Sequence, residues 1–238
     1  MIGLDAEEFP VLPDIGRQQV IHIPGELLKN MIRQTIFAAS TNEQTPILTG
    51  IQWQLQGGEL KFTATDRHRL STCSADLGAP ESDKFAGIVI SARTLNELSR
   101  IIPDSEEPVE IAAADNQVLF RIGQVLFFSR VLDGVYPDTS RIIPQEFKTE
   151  MEIDTRQLTE AIDRAYLMSR EEKTNIVRIV TLGSGDIEIS SSSTELGRVT
   201  EQMRAVRLEG DELRIAFNSK YMLDALRVID SDKIFIGF

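Results

Sequence analysis

The sequence predicts an α+β fold built from repeated units, each with two helices packed on antiparallel sheets. Three recurrences lead there. Residues 21–24 (Ile-His-Ile-Pro) followed by GELLKNMIRQTIFAAS return as 151–154 (Met-Glu-Ile-Asp) followed by TRQLTEAIDRAYLMSR, so that Leu28, Ile32 and Phe37 reappear 130 positions later as Leu158, Ile162 and Leu167. Residues 90–93 followed by TLNELSRII return as 217–220 followed by YMLDALRVI at an offset of 127, pairing Arg93 with Lys220 and Arg100 with Arg227. Glu8-Phe9-Pro10 stands 127 positions before Val135-Tyr136-Pro137, each ahead of a strand-then-helix segment. Self-similarity at a fixed spacing marks a repeated architecture. The expected layout is the tail of one copy over 1–16, a whole copy over 17–145 and most of a third over 146–238.

Each element follows from its local pattern. Leu28, Met31, Ile32, Thr35, Ile36 and Ala39 recur at helical spacing and predict an amphipathic helix over about 25–39. Ile51, Trp53 and Leu55, then Leu60, Phe62 and Ala64, alternate as strand residues do. Gln56-Gly57-Gly58, Ile122-Gly123-Gln124 and Gly183-Ser184-Gly185 punctuate hairpins. After the second helix, VEIAA, VLFRI and VLFFSRVL read as strands, and the serines at 190–193 as a strand and turn. The run 233–238 is the counterpart of the strand near 109–113. Its neighbours in the whole copy have no counterpart, and an open sheet edge in a core is unstable, so the natural chain is expected to continue.

Composition restricts function. With 42% hydrophobic and 26% charged residues, the 238-residue chain has ordinary globular make-up. It has no apolar run of membrane-spanning length, and its N-terminus lacks the basic start and apolar stretch of a signal peptide. The single Cys73 excludes an internal disulfide and suits a reducing cytosol. A net charge of −12 and a pI near 4.7 argue against gripping nucleic acid by neutralising phosphates. The helices nevertheless carry paired cations. Lys29 and Arg33 lie four apart, and Arg93 with Arg100, like Lys220 with Arg227, lie seven apart on one face. By themselves these residues are more simply read as solvated faces with local ion pairs, since Glu97 and Asp224 follow Arg93 and Lys220 by four. The first helix of the third copy is mixed, with Arg156 and Arg164 beside Glu160 and Asp163. Asp66, His68 and Cys73 are the residues on which a hydrolase or metal-dependent enzyme on a duplicated scaffold would rest. Against that, the sequence has two histidines in separate strands, no cysteine partner at metal-ligand spacing, no P-loop and no GxGxxG.

Three motifs carry a family resemblance. The run Thr65-Asp66-Arg67-His68-Arg69-Leu70, the connector from Phe128 through Val135-Tyr136-Pro137-Asp138, and Phe217-Asn218-Ser219-Lys220-Tyr221-Met222 resemble, in order, motifs of the bacterial DNA polymerase III beta subunit, the replicative sliding clamp. The resemblance implies a non-catalytic processivity factor without metal or cofactor. It implies three domains per subunit and a head-to-tail homodimeric ring around double-stranded DNA, in the cytoplasm with the nucleoid and independent of membranes. This chain then corresponds to the tail of clamp domain one, clamp domain two, and a C-terminally incomplete clamp domain three, unable to close a ring alone. A ring held topologically needs no strong phosphate binding, which reconciles the acidic charge with DNA. The DNA-facing helices are expected to present Lys29, Arg33, Arg93, Arg100, Lys220 and Arg227. The resemblance further implies a groove for Gln-Leu-x-Leu-Phe-like peptides of the replicative polymerase, clamp loader, repair and ligase proteins. By motif, the groove would use Leu48, Thr65, Arg67, His68, Arg69, Leu70, Pro137, Arg141, Ile142, Asn218 and Tyr221, with Arg67 standing where many members carry a small residue.

Overall fold

The computed structural model describes residues 20–78, 85–105, 107–114, 116–171, 175–195 and 197–238. The expected domain-one tail over 1–16 and its Phe9-Pro10 connector lie outside them. The chain divides between Tyr136 and Pro137 into two compact units.

The first unit runs β1 (Val20–Pro24), α1 (Gly25–Ile36), a short 3-10 turn (Pro46–Thr49), β2 (Gly50–Gln56), β3 (Glu59–Thr65), β4 (Leu70–Asp76), β5 (Ala86–Ser91), α2 (Ala92–Ile101), β6 (Pro108–Ala113), β7 (Gln117–Ile122) and β8 (Val125–Arg130). These strands form two antiparallel four-stranded sheets, ordered β1-β6-β7-β8 and β4-β3-β2-β5. Alternation buries Ile51, Trp53 and Leu55 of β2 and Leu60, Phe62 and Ala64 of β3 under Leu28, Met31 and Ile32 of α1 and Leu95 and Leu98 of α2. Trp53 stacks on Phe62 with ring centroids 4.1 Å apart and meets Phe120 edge-on at 5.9 Å. Fully burying such side chains contributes about 1.5–3 kcal/mol each, which makes this aromatic centre the main anchor of the unit.

α1 is shorter than its periodicity predicts. It stops at Ile36, and the next residues tighten into i→i−3 bonds, Ala38 N–H to Thr35 O at 3.0 Å and Ala39 N–H to Ile36 O at 3.2 Å. The Ser40 N–H then bonds the Leu48 carbonyl at 2.8 Å, which draws the 3-10 turn against the helix end. The apolar spacing continues because Ala38 and Ala39 are still buried, but their backbone is no longer α-helical. The β2–β3 hairpin turns at Gly57 and Gly58, with φ of 60° and 89°, a conformation that glycine adopts without steric cost.

The second unit runs β9 (Thr149–Asp154), α3 (Thr155–Glu171), β10 (Ile176–Thr181), β11 (Asp186–Ser193), β12 (Gly197–Arg204), β13 (Arg207–Gly210), β14 (Arg214–Asn218), α4 (Ser219–Leu226) and β15 (Lys233–Gly237). Its sheets are ordered β12-β11-β10-β14 and β13-β9-β15, all antiparallel. The four-stranded sheet repeats the β4-β3-β2-β5 order of the first unit. The serines at 190–193 all belong to β11 rather than to a strand and turn. Ile153, Leu158, Ile162, Val177, Ile179, Ile187 and Ile189 form the core, and Arg164 ties α3 to β12 through two bonds to Glu201, 2.6 and 2.7 Å. The fold is α+β, with two α-helices among the described residues of each unit set against antiparallel sheets.

Candidate functional site

The turn from β3 to β4 explains its own sequence. The Asp66 carboxylate accepts the N–H groups of His68 (2.9 Å) and Arg69 (3.0 Å) through Oδ1. Its Oδ2 accepts from Arg69 Nε at 3.1 Å. The side chains of Arg69 and Asp66 are only 18% and 14% exposed, so salt screens this ion pair less than a surface one. The Thr65 hydroxyl donates to the Arg69 carbonyl at 2.7 Å and accepts the Arg67 N–H at 3.2 Å. A turn closed this tightly forces Arg67 to φ 76°, in the left-handed region. The Arg67 guanidinium reaches Thr45 Oγ1 at 3.3 Å, and that of Arg69 lies 5.5 Å over the Phe37 ring.

Tyr136 supports this turn from far along the chain. Its hydroxyl accepts the Thr65 N–H at 3.0 Å, while its ring packs with Leu48 and Val89 in a small cluster that Ile47 and Leu132 complete. Burial pushes the Tyr136 phenol up to about 12, and the Thr65 hydrogen bond offsets part of that rise. Leu48, Thr65, Arg67, Arg69 and Leu70 are thus gathered around one buried phenol and one Asx-closed turn. His68 is exposed at its tip, and Leu70 opens β4 half-buried opposite Thr65. Asp66, Phe37 and Tyr136 were not among the expected groove residues. An Asp two and three residues before a tight turn's N–H groups is a readable Asx signal, whereas the Phe37 and Tyr136 contacts leave no local pattern.

In the second unit, Pro137 and Ile142 are exposed, Ile142 by 63%. Arg141 meets Asp138 at 3.7 Å on the surface. Bonds from the Ser140 hydroxyl and N–H hold the Asp138 carboxyl below its ordinary range. The Asn218 side chain caps α4, accepting the N–H groups of Lys220 (3.0 Å) and Tyr221 (3.3 Å). Tyr221 lies half-buried on the first turn of that helix.

The helix cations divide into two groups. Lys29 is ion-paired with Asp104, whose carboxyl is held low by that bond. Arg33 reaches Asn30 Oδ1 at 3.5 Å. Arg100 takes Glu97 at 3.0 Å, the carboxylate whose spacing suggested Arg93 as its partner. Arg227 takes Asp163 of α3 at 3.1 Å. Arg93 and Lys220, at matched positions on the first turns of α2 and α4, are exposed and make no ion pair among the described residues.

Cys73 points at Gln34 Oε1, 3.0 Å away, and burial raises its thiol, the opposite of what a nucleophile needs. Among the described residues no three His, Cys, Asp or Glu side chains cluster as metal ligands, and no helix is long and apolar enough to cross a membrane.

Comparison with known proteins gives a consistent result. The family model for the DNA polymerase III beta subunit, central domain, matches residues 22–138, and that for the C-terminal domain of the same subunit matches 140–238. The beta sliding clamp of Bacillus subtilis is 50% identical over 236 residues, which is 99% of this chain and 62% of the relative. That of Staphylococcus aureus is 44% identical over the same share of each chain. The chain therefore spans less than two thirds of the length of these relatives. The crystal structure of the Bacillus subtilis DNA polymerase sliding clamp superimposes with a TM-score of 0.94 at 48% identity, covering 99% of this chain and 62% of that one. A Pseudomonas aeruginosa sliding clamp solved with griselimycin bound gives 0.89 at 28% identity, covering 99% of this chain and 63% of its own. With the central-domain match followed directly by the C-terminal-domain match, this chain belongs to the DNA polymerase III beta subunit family, the beta sliding clamps.

Proposed function

We propose that the protein containing this chain is a non-catalytic processivity factor that encircles duplex DNA as a homodimeric ring and tethers the replicative polymerase to it. The observation that carries this reading is the consecutive match to two beta-subunit domains, each with an exposed cation on the first turn of its second helix, Arg93 or Lys220, that has no ion-pair partner among the described residues. Such sparse positive charge on an otherwise acidic chain favours loose, salt-tolerant contact over tight binding, which suits a body that slides. The domain limits proposed with it are 17–145 for clamp domain two and 146–238 for clamp domain three, with 1–16 as the tail of domain one. Clamp loader, repair and ligase proteins are proposed to bind through Gln-Leu-x-Leu-Phe-like peptides. In the first unit these would contact Leu48, Thr65 and the turn from Arg67 to Leu70. Pro137, Arg141, Ile142, Asn218 and Tyr221 are proposed as contacts of the second. The setting is the cytoplasm, with the nucleoid.

Topology provides the test. Loaded onto nicked circular DNA, the protein is expected to stay bound in moderate salt and to leave when the circle is linearised. Equal retention on circular and linear DNA would refute encirclement.

A further inference from the structure

We propose that the outward face of the β12-β11-β10-β14 sheet docks an extended acidic segment of a partner protein. Strand alternation turns Ile179, Ile189 and Ile215 into the core and leaves Arg178, Arg198, Arg204 and Arg214 exposed on the opposite face. Two acids, Asp186 and Glu188, share that face. Arg198 meets Glu188 at 3.6 Å, while Arg178, Arg204 and Arg214 make no ion pair among the described residues. Three uncompensated guanidinium groups on one sheet face stand out in a chain of net charge −12.

The repeat supplies an internal control. Aligning the core pair Ile179–Ile189 with Trp53–Phe62 matches the registers of the two four-stranded sheets. Arg178, Arg198, Arg204 and Arg214 then fall on Gln52, Leu70, Asp76 and Ala86 of the first unit. None of those four is basic, so the sheet architecture does not require the arginines. Along β10, exposed Ile176 and half-buried Val180 flank Arg178 on the same face, two apolar anchors beside the charge. The occupant that fits is a polypeptide alternating carboxylates with apolar side chains, since extended chains repeat every two residues as this surface does. No aromatic side chain faces outward on these strands among the described residues, and base stacking on aromatics is how sheet faces hold single-stranded nucleic acid.

The probe is a fluorescein-labelled peptide of Glu-Val-Glu-Leu repeats, with binding read by anisotropy at low and moderate salt. Arg178→Gln with Arg214→Gln is expected to weaken binding about tenfold and to flatten its salt dependence. Arg156→Gln with Arg207→Gln, which removes the same charge elsewhere in the second unit, should leave binding within about twofold of wild type. Thermal melts check that both double variants fold, and Arg178→Lys with Arg214→Lys should recover most of the affinity if either glutamine variant is unstable. Equal weakening by the two double variants, or no binding at low salt, overturns the proposal. So does displacement of the peptide by oligothymidylate of equal charge at lower concentration, which would make the face a nucleic-acid surface. Retention on circular DNA is read separately, so failure here and failure of the clamp reading are distinguishable.

Discussion

Arg67 occupies φ 76° because the bonds of Thr65 and Asp66 close the turn around it. The left-handed conformation costs a residue with a Cβ about 1–2 kcal/mol, against about 0.4–1 kcal/mol of added chain entropy for glycine. Arg67→Gly is therefore expected to raise stability modestly, by about 0.5–1 kcal/mol, as a higher urea midpoint with unchanged slope. Tyr136 yields a pH prediction. Its phenol is held protonated in the folded state to about 12, against an ordinary 10.0. Between those values the folded chain binds more protons than the unfolded one. The stabilisation is whole below pH 10.0 and falls as pH rises through about 12. Denaturation series across this range should show that decline in the wild type and lose its Tyr136 part in Tyr136→Phe. The same variant orphans the buried Thr65 N–H, which costs about 1–3 kcal/mol at neutral pH.

Among the elements, α4 is the most dependent on its ends. It has eight residues, too few for helical propensity to sustain it. The Asn218 side-chain Oδ1 accepts two of its free N–H groups, and Leu223 and Leu226 anchor it to the core. Asn218→Ala is expected to cost about 1 kcal/mol, with most of that restored by Asp at the same position. Amide exchange should quicken first at Lys220 and Tyr221, the two N–H groups the cap holds. Both Asn218 and Asp66 were legible in part: each stands where a short polar side chain meets a turn or a helix start. The end of α1 was less legible. Its apolar spacing runs on through Ala38 and Ala39, and only the Ser40–Leu48 backbone bond, reaching to the 3-10 turn, reveals where the helix gives way.

At the scale of the molecule, charge and topology act together. If Arg93 and Lys220 hold DNA loosely through its phosphates, Arg93→Gln with Lys220→Gln should lower affinity for linear duplex and reduce its salt slope by about 2, roughly one for each phosphate no longer neutralised. Retention on closed circles should change far less, and equal reductions on both substrates would place the holding energy in phosphate binding rather than in encirclement. The sequence by itself determined the repeat, the α+β class, the hairpins at Gly57 and Gly123, and the motifs that identify the family. Those features are local or periodic, and periodicity survives without coordinates. The tertiary structure alone decided how charges and hydroxyls pair. Glu97 turned to Arg100 instead of Arg93, Lys29 to Asp104, and Arg227 to Asp163. Tyr136 reached Thr65 across 71 positions, and three arginines gathered on one sheet face from three strands. Each of these pairings depends on which strands and helices become neighbours. Burial sets that adjacency cooperatively, so spacing along the chain does not encode it.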